Sequence, residues 1–101
     1  MILHTVNKSP FERNALISCL GHAQAGSSVL MMEDGVYGAI AGSQVADVVS
    51  KSVANVNVYV LEPDLAARGI AKEKLISGVQ LIDYAGFVDL AADNTTVQAW
   101  L

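Results

Sequence analysis

Short apolar runs alternate with longer amphipathic stretches along the chain, and this alternation predicts a series of strands and helices. Ile2 to Val6 is a brief run rich in β-branched residues that stops at Asn7-Lys8-Ser9-Pro10, and it reads as a first strand. Ser9 has the chemistry of an N-cap, Pro10 suits the first helical position, and Glu12 completes a Ser-x-x-Glu box. A helix is therefore expected from Pro10 to about Ala25, closed by Gly26. Ser28 to Met32 reads as a second strand, turned by Glu33-Asp34-Gly35, and about Val36 to Ala54 as a helical region broken near Gly42-Ser43. Val56 to Leu61 is a third strand, followed by a short helix from Pro63 to Arg68 that Gly69 stops and a further turn over Lys72 to Ile76. Val79 to Ile82 forms a fourth strand, and Asp83 caps a helix from Tyr84 to about Ala92. Asn94 to Leu101 is left as a tail able to add a short edge strand.

Strands alternating with helices specify the α/β class: one three-layer domain over residues 1–101, with a mainly parallel four- or five-stranded sheet, helices on both faces and right-handed crossovers. A chain of 101 residues supports one core, and no repeat, low-complexity tract or linker divides it. Apolar residues make up 52% and charged residues only 16%. The mean hydropathy is +0.41, yet no run approaches the ~18 apolar residues of a membrane helix. The surplus apolar surface is therefore assigned to contacts with other subunits. A net charge of −4 with six scattered Lys and Arg argues against direct binding to nucleic acid. The N-terminal run lacks a positive lead-in and the single cysteine suits a reducing compartment, so a cytoplasmic location is expected.

The candidate chemistry centres on Cys19, the one cysteine. At ~100° per residue it shares a helix face with Phe11, Ala15, Leu16, Leu20 and Ala23, while Arg13, Asn14, Ser18 and Gln24 lie opposite. That face could be buried core, which suits a free cysteine, or could meet a cleft where the sulfur reacts. His22, three residues on, is spaced to activate the thiol, but one Cys-x-x-His pair is a weak signal and a solvated histidine at the helix edge is the favoured account. His4 could join Cys19 and His22 only as a ligand set without zinc-site spacing, so neither a metal nor any other cofactor is expected. Gly35, Gly38 and Gly42 match neither Gly-x-Gly-x-x-Gly nor a P-loop, and suit a turn at Gly35 and close packing at Gly38. Ser27, Ser28 and Ser43 lack a nucleophile elbow. The adjacent carboxylates Glu33 and Asp34 stand at a strand end, as catalytic acids or as solvated turn residues. Tyr84, Phe87, Val88 and Leu90 recur at helical spacing and read as core, whereas Trp100 and Leu101 are expected at an interface.

Five segments together resemble the DsrH/TusB family. They are Leu3 to Phe11 (LHTVNKSPF), Glu33-Asp34-Gly35-Val36, Tyr59-Val60-Leu61 with Asp64 to Gly69 (DLAARG), Ile82 to Leu90 (IDYAGFVDL), and Gln98-Ala99-Trp100-Leu101. The resemblance implies a DsrE-like fold and membership of a heterohexamer, DsrEFH in sulfur oxidisers or TusBCD in thiolation of tRNA wobble uridine. Implied partners are DsrE/TusD-like and DsrF/TusC-like subunits and a DsrC/TusE-like carrier, with the main relay cysteine on a different chain. A cysteine in the first helix favours the DsrH branch and dissimilatory sulfur oxidation, the TusB role and a non-catalytic assembly role being the alternatives. If Cys19 reacts, its thiolate attacks the outer sulfur of an incoming persulfide, expels the donor thiolate and becomes a persulfide until a second thiolate takes the sulfur.

Overall fold

The computed structural model describes residues 1–101. Five strands form one sheet: β1 (Ile2–Val6), β2 (Ser28–Met31), β3 (Asn57–Leu61), β4 (Gln80–Ile82) and β5 (Thr96–Trp100). Four α-helices connect them: α1 (Ala15–His22), α2 (Ala46–Ser52), α3 (Glu62–Ala67) and α4 (Tyr84–Asp93), with 3₁₀ segments at Glu33–Ala39 and Lys72–Lys74. The spatial order is β4-β3-β2-β1-β5, and every pairing is parallel. From β1 to β4 the chain steps in one direction, so right-handed crossovers place α1, α2 and α3 on one face. The reverse step from β4 to β5 sends α4 to the other.

Alternation along the strands sorts the core accordingly. Val6, Val29, Met31, Val58 and Val60 face Leu16 and Cys19 of α1, Val49 of α2 and Leu65 of α3 in one large buried cluster. Leu3, Leu30 and Leu61 point the opposite way, under Phe87, Leu90 and Ala91 of α4. The second layer is thin: no residue of α4 is fully buried, and Tyr84 and Val88, expected in the core, are 60% and 67% exposed. They stand on the outer flank of α4, because one sheet face can take only one side of a single helix.

Two predicted helices come out shorter. Ser9 does act as a cap, but of a turn: its Oγ accepts from the Phe11 amide at 3.2 Å and its carbonyl from Glu12 and Arg13 at 3.1 Å each. The helix itself begins at Ala15 and ends at His22, where Ala23 turns extended with ψ 128°. The region from Val36 is 3₁₀ as far as Ala39 and irregular until α2 starts at Ala46. Close packing explains the tighter coil. A Cβ on Gly35 would overlap the Val6 carbonyl, and one on Gly38 would stand 2.5 Å from Leu16 Cδ2. Gly35 therefore serves close approach rather than a left-handed turn; the non-glycine residue in that region is Glu33, with φ 49°. Asp83 caps α4 as expected, its Oδ1 accepting from the Gly86 amide at 2.8 Å. The C-terminal tail is a full strand, paired with β1 from Ile2↔Thr96 to Val6↔Trp100.

Candidate functional site

Cys19 sits in the middle of α1, on the side turned to the sheet, with none of its surface exposed. It belongs to the same cluster as Leu16, Val49 and Val58, and this apolar burial pushes its thiol up to about 12. Near neutral pH the group is a neutral thiol. No charge beside it favours the anion, since desolvation is the cause of the shift.

His22 lies one turn further along but on the exposed side. Its Nδ1 is 2.7 Å from the Ser18 carbonyl, and because a carbonyl only accepts, that nitrogen carries the proton. His22 is thus engaged with its own helix at that nitrogen, and its ring centroid stands 5.9 Å from that of Trp100. The same indole reaches the other histidine: Trp100 Nε1 donates to His4 Nδ1 at 3.0 Å. His4 is only 4% exposed, and burial holds its imidazole below the ordinary value of 6.5. The parallel register of β5 on β1 makes this contact, and Trp100 packs against the large core cluster. Trp100 is therefore anchored within its own chain, while Leu101 beyond it is 77% exposed. The structure brings His4, Trp100 and His22 together and leaves Cys19 in the core cluster on which Trp100 packs. The His4–Trp100 pair, 96 positions apart, was not foreseen by sequence reasoning. Only the pairing of the final strand with the first could have signalled it.

The carboxylates at the end of β2 have structural partners. The Glu33 amide donates to Asp64 Oδ2 at 2.6 Å, holding the left-handed residue in place. Arg68 donates from Nε and Nη2 to Asp34 Oδ1 at 3.0 and 2.9 Å, and from Nη1 to the Asp64 carbonyl at 3.1 Å. These bonds tie the end of β2 to α3.

Comparisons with known proteins bear on the family and on the fold. A family model described as DsrH like protein matches residues 8–97. The chain is similar to Protein TusB of Pectobacterium parmentieri, 36% identical over 100 residues, covering 98% of this chain and the whole of that protein. It is also similar to Protein TusB of Escherichia coli strain K12, 34% identical over 101 residues, covering 98% of this chain and all of that one. Among solved structures, the ychN protein from E. coli superposes with a TM-score of 0.84 at 17% identity, over 98% of this chain and 97% of that one. A protein of unknown function from Methanobacterium thermoautotrophicum gives 0.79 at 15% identity, over 97% and 96% of the two chains. These two likenesses speak to the fold alone.

Proposed function

This chain belongs to the DsrH family of sulfur-relay subunits, and from that premise we propose that it is the TusB-type member of a cytoplasmic heterohexamer that relays sulfur for the thiolation of tRNA wobble uridine. The observation that carries the branch is the run of curated relatives named TusB, similar over essentially the full length of the chain. A first-helix cysteine favoured the sulfur-oxidising branch in the sequence, but it is one residue against a whole-chain likeness.

Within that complex the subunit shapes the assembly, and the cysteine that carries sulfur stands on a DsrE/TusD-like partner. Support comes from the state of Cys19, wholly enclosed and with its thiol pushed up to about 12. Sulfur transfer needs a thiolate and access to it, and Cys19 has neither in this fold. What the chain offers outwardly is apolar surface: Tyr84, Val88, Val97 and Leu101 are all exposed and suit burial against a DsrF/TusC-like or DsrE/TusD-like chain. The DsrC/TusE-like carrier then docks on the assembled complex.

Deleting the gene in its host and analysing tRNA nucleosides tests the reading. Thiolated wobble uridine should fall and return with both the wild type and Cys19→Ala. Unaltered tRNA with loss of sulfur oxidation would move the subunit to the sulfur-oxidising branch. Failure of Cys19→Ala in a complex that still assembles would make Cys19 a sulfur carrier.

A further inference from the structure

We propose that His4 and Trp100 form a proton-sensitive latch that holds the C-terminal strand β5 on the sheet. An indole N–H can only donate, so the 3.0 Å contact requires His4 Nδ1 to be bare and places the ring proton on Nε2. Protonating Nδ1 turns two N–H groups toward each other, and the bond is lost. His4 is buried on β1, an inner strand flanked by β2 and β5, where a charge has little solvation, so the neutral form belongs to the closed latch.

Besides this bond, the far end of the strand is held by its ladder to β1 and by the packing of Trp100 on the core. β5 is an edge strand paired only with β1, and Thr96 to Ala99 are all exposed. At its start, the Thr95 amide and hydroxyl donate to the Met1 carbonyl at 3.0 and 3.1 Å. At its end, Trp100 is the one residue of the strand partly buried, set against the core cluster that contains Cys19. Losing the His4 bond therefore loosens the C-terminal end first.

No acidic side chain on the strands beside His4 compensates a charge there. β1, β2 and β5 read ILHTV, SVLM and TVQAW and contain no other titratable side chain. The titratable groups of α1 are the neutral thiol of Cys19 and His22, whose ring stands beside Trp100. The 3₁₀ segment reaches β1 at Val6 through Gly35; its carboxylates are Glu33 and Asp34, both exposed, with Asp34 paired to Arg68. No carboxylate stands on the strands or the helix around the ring.

Nuclear magnetic resonance of the full chain, alone or in its complex, tests the latch, with histidine and tryptophan labelled in this chain only. From about pH 8 to about pH 5, His4 should show an unprotonated Nδ1 at first and a midpoint below 6.5. The Trp100 indole signal should shift at the same midpoint. Hydrogen-exchange protection at Thr96–Trp100 should fall about tenfold per pH unit between 6.5 and that midpoint, while β2 and β3 stay protected. His4→Gln keeps an acceptor and should make β5 protection independent of pH; His22→Gln should leave the transition in place. The proposal is overturned if His4 titrates without any change at β5, if the transition survives in His4→Gln, or if the whole sheet loses protection together. Should His4→Gln not fold, co-titration of His4, Trp100 and β5 in the wild type decides alone.

Discussion

The thiol of Cys19 should be about a thousandfold less reactive in the folded subunit than in the unfolded chain. Burial raises its pKa from 9.0 to about 12, and three units remove about 10³ of the thiolate present near neutral pH. Enclosure adds to this factor, because a reagent reaches a wholly buried sulfur only when α1 lifts from the sheet. The assay is the rate of alkylation by iodoacetamide at a fixed pH near neutrality, with and without a denaturing concentration of urea. As Cys19 is the single cysteine, every modified chain reports on it. A folded rate within about tenfold of the unfolded one would refute the buried, neutral thiol. The same shift has a signed effect on stability. A group whose folded pKa is raised is fully stabilising below its unfolded value, so the contribution of Cys19 is intact below pH 9.0 and lost as the pH climbs toward about 12. At one unit per 1.36 kcal/mol, the loss approaches about 4 kcal/mol. Urea titrations of the wild type against Cys19→Ala should show a steeper alkaline decline in the wild type. Parallel curves would contradict the shift.

Other substitutions probe the frame. Gly35→Ala sets a methyl against the Val6 carbonyl, a main-chain atom that cannot turn aside, and should cost at least about 2 kcal/mol in urea denaturation; a neutral result would remove the close approach. Asp83→Ala removes the cap of α4 and should cost about 1 kcal/mol, with the loss of protection confined to that helix in hydrogen exchange. Trp100→Ala should destabilise the chain by about 2 kcal/mol, since it strips packing from the core edge and leaves His4 without its partner. Removing Leu101 alone should leave the midpoint unchanged because that side chain is exposed. Asp34→Ala should cost less than about 1 kcal/mol, as its salt bridge to Arg68 is 58% exposed on the carboxylate side.

Strands were legible where several apolar residues meet a turn signal, as at Ile2 to Val6 and Asn57 to Leu61. The cap at Asp83 was legible because it is local, one side chain bonding an amide three residues on. The helix start at Ser9 was misplaced by the same kind of signal: Ser-Pro-x-Glu satisfies a turn as well as a first helical turn, and nothing local separates the two. The 3₁₀ segment depends on the approach of Gly35 to β1 and Gly38 to α1, which tertiary packing decides. Helical periodicity placed Cys19 on an apolar face but left open what covers it, and the sheet supplies the answer. Local sequence shows only that a chain end at Trp100 frays unless anchored; the anchor within this chain is His4, brought near by the return of β5 to β1. Tyr84 and Val88 share the periodicity of Phe87 and Leu90, and only the position of α4 over the sheet divides them.

On the proposed function, this subunit builds the relay without carrying its sulfur. Intact-protein mass spectrometry of each chain in the reconstituted complex, after exposure to a persulfide donor, tests it most directly. A partner subunit should gain one sulfur atom and this chain none. A gain on this chain that disappears in Cys19→Ser, with the complex intact, would contradict it.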